Sequence, residues 1–242
     1  MPQEEEKLDW RCRVVSEFPA DTNLWEKNYP RGTQVSTQTA VKNNNFELFF
    51  CDPSAPALYL NQSFSFLKRS RDIFPAIKLN ISNSVNHKNT LLFDYFELMM
   101  GSIIFAFMAI DSFANDEVPD DYQYLRISSK GGKSKKLGKD DIERRIPLDD
   151  KLDLILPEIL QKDSPKGTKN WEDYIALKLL RHDIVHLKSL DRISSNPKEM
   201  YPESIWAKLL SPTQLDYGLV AKNMILHFVH DKEYYWLKNC PY

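Results

Sequence analysis

The segment LLRHDIVHLKS, residues 179–189, places an arginine and two histidines within six positions of a predicted helix. Arg181 and His186 are five residues apart, and such a pair could bind and cleave a phosphodiester without a metal. A guanidinium can bind a phosphate through two parallel charge-assisted hydrogen bonds and offset the charge gained in the transition state. An imidazole can accept a proton from a ribose 2′-hydroxyl or donate one to the leaving oxygen. The expected products are a 2′,3′-cyclic phosphate and a free 5′-hydroxyl.

The same segment has a second interpretation as a zinc site. His182 and His186 are four residues apart, the spacing with which a helical HExxH motif supplies two zinc ligands. Asp183 lies between them and is one methylene shorter than the glutamate that serves as general base in that motif. A catalytic zinc also needs a third protein ligand. The downstream candidates, none of them in a recognisable metalloprotease pattern, are Asp191, Glu199, His227 and His230. We therefore expect neither a metal nor a cofactor.

Helix geometry complicates the phosphodiester interpretation. On an ideal helix Arg181 and His186 point about 140° apart, whereas His182 and His186 differ by only about 40°. One apolar stripe, the expected core side, consists of Leu177, Leu180, Ile184 and Leu187. A second apolar stripe, formed by Ile175 and Leu179, shares a side of the helix with the imidazoles. Two apolar sides are typical of a helix that packs in its own bundle and also against a partner subunit.

Three routes remain open by which Arg181 could reach the histidines: its long side chain, a local helix distortion, or the other protomer. A purely structural role is also open, because Arg and His clusters on helices often cap carbonyls, face solvent or pair with acids such as Asp183 or Glu172.

The surrounding pattern predicts a mainly α-helical chain of 242 residues. A long helix is expected to about Val118, with Thr90 or Asn89 as its N-cap and Pro119 shortly after its end. Its run LMMGSIIFAFMAI, residues 98–110, is too short for a membrane span of about 20 residues. Further helices are expected around residues 140–160, broken at Pro147 and Pro157, and at 171–190. The last helix is expected over 211–238, with Ser211 as N-cap and Pro212 at its first position.

Residues 1–84 form a predicted N-terminal extension, and residues 85–242 form the helical domain. The segments RCRVVSEF and NFELFFCD in the extension have strand-like content, so an α+β structure is open for it. The three cysteines are widely spaced and indicate neither a disulfide framework nor a cysteine zinc site. The acidic start MPQEEEKLDW has no apolar signal segment, which favours a cytoplasmic protein with no membrane partner.

RHDIVH resembles the R-x4-H motif of the HEPN superfamily, in which a polar residue (Asn, Asp or His) commonly follows the arginine. Here that residue is His182. The earlier segment FAFMAIDSFANDEV is similar to the first HEPN helix, which often carries an acidic-then-Asn pattern like Asp111 and Asn115. The resemblance covers about residues 88–238, and only the six-residue motif is specific.

This resemblance implies a HEPN-like antiparallel bundle of four to five helices that forms a homodimer, with two R-x4-H motifs lining one cleft. It implies that Arg181 and His186 are the catalytic pair and that His182 is an auxiliary polar residue. Many HEPN proteins are metal-independent endoribonucleases that act as toxins, in antiviral defence or in RNA processing. The expected partners are an RNA substrate, a second copy of the chain, and an antitoxin or defence-system protein. The alternative is a non-catalytic HEPN-like module that binds a partner or a nucleotide.

A lysine-rich loop is a local concentration of positive charge in a chain whose net charge is −2. Its lysines are Lys130, Lys133, Lys135, Lys136 and Lys139. They could hold an RNA backbone, although a solvated loop with no binding role explains the same composition.

Overall fold

A computed structural model describes residues 8–24, 26–43, 46–79, 85–126, 134–191, 204–211, 215–230 and 234–242. Within them the chain is mainly α-helical, as the sequence predicts, and its N-terminal part is β-rich. The contacts divide the chain into two compact units. The first unit consists of Met1–Leu58 and Val229–Tyr242, and the second unit consists of Tyr59–Phe228. This division differs from the predicted boundary after residue 84, because most of a long helix ahead of that boundary belongs to the second unit.

The strands are β1 Val14–Glu17, β2 Thr22–Leu24, β3 Lys27–Tyr29, β4 Gln34–Ser36, β5 Gln38–Asn43, β6 Phe46–Cys51, β7 Tyr124–Arg126 and β8 Lys135–Leu137. The helices are α1 Ala55–Leu79, α2 Val85–Asp116, α3 Lys139–Arg145, α4 Leu148–Asp150, a π-helical turn Lys151–Ile155, α5 Leu156–Leu160, α6 Lys169–Val185, α7 Ile205–Leu209, α8 Tyr217–Phe228 and α9 Tyr235–Lys238. A 3₁₀ turn spans Ser189–Asp191.

The first unit contains three antiparallel strand pairs, β1 with β4, β2 with β3 and β5 with β6. The predicted strand content of RCRVVSEF and NFELFFCD is confirmed by β1 and β6. One face of the β5–β6 hairpin carries Val41, Leu48 and Phe46, which are all exposed. The side chain of Tyr235 in α9 donates a hydrogen bond of 2.8 Å to the carbonyl of Leu8, which joins the two ends of the chain within this unit.

The second unit is organised around α2, which packs against α8 and α6. Its buried side chains recur every three or four residues, as a core-facing helix side requires: Tyr95, Met99, Ile103, Ala106, Ile110 and Phe113. Ser63 of α1 and Ser102 of α2 each donate a hydrogen bond of 2.9 Å to the other's carbonyl, and both are fully buried. A Cβ at Gly101 would lie 2.5 Å from the ring of Phe66, so the close approach of α1 to α2 requires a glycine there.

The long helix predicted from Asn89 or Thr90 is confirmed in its body and in its end before Pro119. Its predicted N-cap is wrong, because α2 begins at Val85 and contains both residues. Neither Asn nor Thr prevents a helix from starting earlier, since helix propensities differ by less than about 1 kcal/mol per residue for such side chains.

α2 also contains a segment, Asn89–Asp116, that is long and apolar enough to cross a membrane: a stretch of 18 residues within it has a mean hydropathy of 1.6, and 33% of that stretch is buried. The core helix of a soluble protein passes the same test of length and composition. Because α2 packs against α1, α6 and α8 in its own unit, the structure is compatible with a soluble protein.

Two proline predictions have different outcomes. Pro147 separates α3 from α4, as predicted. Pro157 does not break the helix, because helical structure runs without interruption from Leu148 to Leu160. Pro157 is the second residue of α5 and follows a π-helical turn, which replaces the regular hydrogen-bond pattern of an α-helix at this point. The β7–β8 hairpin adds a small antiparallel pair to the otherwise helical second unit.

The predicted single helix over residues 211–238 is wrong. The chain forms α8 and α9 there, and α8 begins after Asp216 rather than after Ser211. A carboxylate oxygen of Asp216 accepts a hydrogen bond of 3.1 Å from the backbone N–H of Leu219, which is the geometry of an N-cap. Pro212 lies outside the described residues.

A buried lysine connects the π-helical turn to α2. The side chain of Lys151 is 2% exposed, and its ammonium donates to Asn115 Oδ1 at 2.6 Å, to the Glu143 carbonyl at 3.2 Å and to Asp111 Oδ1 at 3.3 Å. Asp111 and Asn115, the two polar residues singled out in the sequence, therefore both bind Lys151. Three acceptors match the three donors of an ammonium group, so burial leaves none of its N–H groups unbonded.

We expect Asn115→Ala to lower the free energy of unfolding by about 1.5–3 kcal/mol, because the buried ammonium loses its shortest hydrogen bond. Asp94→Ala on the exposed side of the same helix is the matched control and should change it by about 0.5 kcal/mol or less. Urea unfolding of the two variants provides the measurement. Equal effects of the two substitutions would show that the Lys151 contacts contribute no stability of their own.

Candidate functional site

The residues of RHDIVH lie at the C-terminal end of α6. The helix begins at a Thr168 N-cap, whose side chain accepts a hydrogen bond from the backbone of Trp171, and it ends at Val185. His186 has left the helical conformation, with φ −121° and ψ 65°, while its N–H still donates to the His182 carbonyl at 2.9 Å. His186 is therefore the C-cap of α6 rather than a residue of its interior.

The two predicted sides of α6 differ in burial. Leu177 and Ile184 are buried, as expected for the core stripe, and Tyr174 is buried with them. The other side faces outward: Leu179 is 58% exposed, and His182 and His186 are exposed. Apolar and imidazole side chains thus share one open surface of the unit.

His182 and His186 are brought together by this geometry. Their ring centroids lie 4.8 Å apart and the ring planes are inclined by 52°. Because both rings are exposed, a ligand can reach either one. Two imidazoles at this separation can act on one phosphodiester, one as base and one as acid.

Arg181 points toward a different neighbour. Its Cζ atom lies over the ring of Phe107 in α2, 5.2 Å from the ring centroid, a cation–π geometry. Among the described residues no carboxylate forms an ion pair with Arg181. The structure therefore pairs the two histidines with each other and holds the arginine against α2. The half-buried guanidinium remains available to an anion.

Asp183, the middle carboxylate of HDIVH, holds the end of α6 in place. It accepts hydrogen bonds from Lys188 Nζ at 2.8 Å and from Lys208 Nζ at 2.7 Å. The bond from Lys188 and then the bond from Lys208 hold the pKa of this carboxyl below its ordinary value. The group is therefore an anion bound on both sides by lysines, which is unsuited to the general base of a zinc hydrolase.

The further ligands of a zinc site are also engaged elsewhere. Asp191 accepts hydrogen bonds from the backbone N–H groups of Lys188 and Ile205, at 2.9 and 2.8 Å. His227 Nε2 lies 2.9 Å from the Asp163 carbonyl. Within the part of the chain that the structure describes, no three His, Cys, Asp or Glu side chains are grouped to hold a metal ion. Glu199 lies outside these residues, and His230 belongs to the other unit.

The lysine-rich loop is described only in part, since Lys130 and Lys133 lie outside the described residues. Lys139 forms an ion pair of 2.9 Å with Asp120, and the hydrogen bond in this pair raises the pKa of Lys139. Lys135 lies 3.6 Å from Asp141. Acidic partners thus reduce the positive potential that these two lysines could offer to RNA.

Three contributors to this site were missed at the sequence level. Phe107 binds Arg181, Tyr174 packs beside Phe107, and Lys208 binds Asp183. No local pattern marks Phe107 or Lys208, because each lies on another helix. Tyr174 was detectable in principle, since it stands seven residues before Arg181 and therefore on the same side of α6.

Comparisons with models of protein families, with curated proteins and with solved structures found no match to this chain. The HEPN resemblance therefore depends on the R-x4-H motif and its helical setting.

We expect Asp183→Asn to lower the free energy of unfolding at pH 7 by about 1–2 kcal/mol, because two lysines lose their anionic acceptor while remaining partly hydrated. The pKa of Asp183 is lower in the folded state than in the unfolded state, where it is about 3.9. The stabilisation is therefore fully present above the unfolded-state pKa and is lost as the pH falls through the folded-state pKa. The difference between wild type and variant should therefore shrink toward pH 3.

Urea unfolding at pH 7 and near pH 3 measures this difference. Asp173→Asn is the matched control, because Asp173 pairs with the exposed Lys169 on the same helix and its loss should change the free energy of unfolding much less. A difference for Asp183→Asn that stays constant between the two pH values would contradict the ion-pair account.

Proposed function

We propose that this chain is a metal-independent endoribonuclease of the HEPN type that acts as a homodimer in the cytoplasm. The observation that carries the proposal is the composition of the α6 end: two exposed imidazoles in mutual contact and, on the residue before His182, the guanidinium of Arg181, which has no acidic partner among the described residues. These are the groups that cleavage of a ribose phosphodiester requires, and Asp183, the acid within the motif, is bound to two lysines instead.

The proposed chemistry assigns one role to each group. His186 takes the proton of the ribose 2′-hydroxyl or supplies one to the leaving 5′-oxygen. Arg181 binds the phosphate and offsets its additional charge in the transition state. His182, whose ring lies beside that of His186, supports the proton transfer or hydrogen-bonds the phosphate. The second protomer would bring another motif to the same cleft, which allows Arg181 of one protomer to act with His186 of the other.

A toxin or antiviral defence effector is the biological role that this chemistry fits, since uncontrolled RNA cleavage must be restrained by a partner. An antitoxin or defence-system protein would then be that partner. The exposed Leu179 and Val185 beside the imidazoles favour an interaction surface at the site, either for the second protomer or for such a protein.

The second candidate is a non-catalytic HEPN-like module that binds a protein or a nucleotide. One observation favours it: in a single chain Arg181 is held on Phe107, while His182 and His186 contact each other. An anion could bind to the guanidinium in this state without any proton transfer by the imidazoles. RNA cleavage by the purified protein distinguishes the two candidates.

We predict that the purified protein cuts single-stranded RNA in excess EDTA. Arg181→Ala and His186→Ala should each lower the rate by about 10²–10⁴-fold, the usual contribution of general acid–base and phosphate-binding groups. His182→Asn should be milder, because an amide keeps hydrogen-bonding capacity. His227→Ala, a histidine on α8, is the matched control and should retain the wild-type rate.

Cleavage that requires added metal, or that survives His186→Ala unchanged, would refute the proposed mechanism. A protein that binds RNA or a nucleotide without cutting it would support the second candidate.

We also predict a homodimer in solution, with a mass near twice 28.3 kDa by light scattering at micromolar concentration. Leu179→Glu should shift the protein toward the monomer, because it places a charge on the exposed apolar surface beside the imidazoles. Leu154→Glu alters a leucine of similar exposure on the π-helical turn and should leave the mass unchanged. A wild-type monomer that still cuts RNA would exclude the shared cleft.

A further inference from the structure

Phe107 offers the face of its ring to Arg181 and also contacts the aromatic ring of Tyr174. Its ring lies nearly parallel to that of Tyr174, inclined by 16° with centroids 6.4 Å apart. Tyr174 and Arg181 are two turns apart on the same side of α6, so Phe107 of α2 lies between two side chains of one helix. A ring in this position has little freedom to rotate away from the guanidinium.

Tyr174 is anchored in turn by a charged pair. Its side chain is fully buried, and its hydroxyl donates a hydrogen bond of 2.5 Å to Asp149, which also binds the ammonium of Lys178. Burial, and then the hydrogen bond to Asp149, raise the pKa of Tyr174 well above its ordinary value. The phenol therefore stays protonated at all physiological pH values and keeps donating to Asp149.

The contact with Phe107 suits a guanidinium that binds phosphate. A cation over an aromatic face interacts through the ring's negative face and needs no carboxylate, so the positive charge of Arg181 is not neutralised. The N–H donors of a guanidinium lie in its plane, and a contact through the central carbon leaves donors at the edge for a phosphate. An arginine that is already held in one position loses less conformational entropy when it binds a phosphate.

We infer that Phe107 is a positioning residue that holds Arg181 ready to bind the scissile phosphate. This inference rests on the proposed function. The neighbouring Tyr174–Asp149–Lys178 contacts fix the ring, and the ring fixes the guanidinium. Phe107 touches no reacting atom, so its effect must pass through Arg181.

The test is a double-mutant cycle on RNA cleavage. Phe107→Leu should lower kcat/KM by about 3- to 30-fold, which corresponds to the usual strength of a partly buried cation–π contact. Phe107→Tyr, which keeps the ring, should retain most of the activity. In the Arg181→Ala background Phe107→Leu should cause no further loss. Phe105→Leu is the control, because Phe105 of the same helix packs on Phe66 of α1, and its effect should be the same with and without Arg181.

A second readout does not require catalysis. The side-chain Nε–H resonance of Arg181, observed by NMR of ¹⁵N-arginine-labelled protein, should carry a ring-current shift in the wild type and in Phe107→Tyr, and should lose it in Phe107→Leu. If the wild type cuts no RNA, the proposed function is refuted. The resonance still shows whether Phe107 holds Arg181, so the two failures can be distinguished. A resonance that is unchanged in Phe107→Leu would overturn the inference. An equal loss of activity with and without Arg181 would also overturn it, because Phe107 would then act through general packing.

Discussion

Asp183 binds Lys188 just beyond its own helix and Lys208 on α7, and through these two ion pairs it fixes where α6 stops. The chain turns at His186 because the next residues are held back toward the helix end by this carboxylate. Asp191 completes the arrangement by accepting from the backbone N–H of Ile205 at the start of α7. On a regular helix His182 and His186 would also share one side, and the turn makes His186 the C-cap of α6 rather than a residue of its interior.

Arg181 depends on a different set of contacts, which belong to α2 rather than to the end of α6. The guanidinium lies on Phe107, and Phe107 packs beside Tyr174. A single chain therefore carries two separate groups in one unit: the imidazole pair of His182 and His186, and the guanidinium of Arg181 on Phe107. In the proposed dimer these parts need not meet within one chain, because the partner's motif can supply the complementary group.

Periodicity predicted much of this arrangement. The spacing of Leu177 and Ile184 correctly identified the core side of α6, and it left the imidazoles on the opposite, exposed side. The end of α6 was not predictable in the same way, because HDIVHLK contains neither glycine nor proline and one of the two lysines that bind Asp183, Lys208, lies 25 residues further along the chain. The start of α8 was missed for a more local reason: Asp216 caps it, whereas Ser211 and Pro212 together form the more familiar start signal.

The claim that Arg181 and His186 cleave RNA through its 2′-hydroxyl is tested most directly by removing that hydroxyl from one nucleotide. A single-stranded RNA is first mapped for its cleavage site in EDTA, and the same RNA is then made with one 2′-deoxynucleotide on the 5′ side of that site. The account predicts that cleavage at this bond disappears while other sites are cut as before, with 2′,3′-cyclic phosphate ends. Cleavage that persists at the deoxy-substituted bond would contradict it, because the attacking oxygen would then have to come from water.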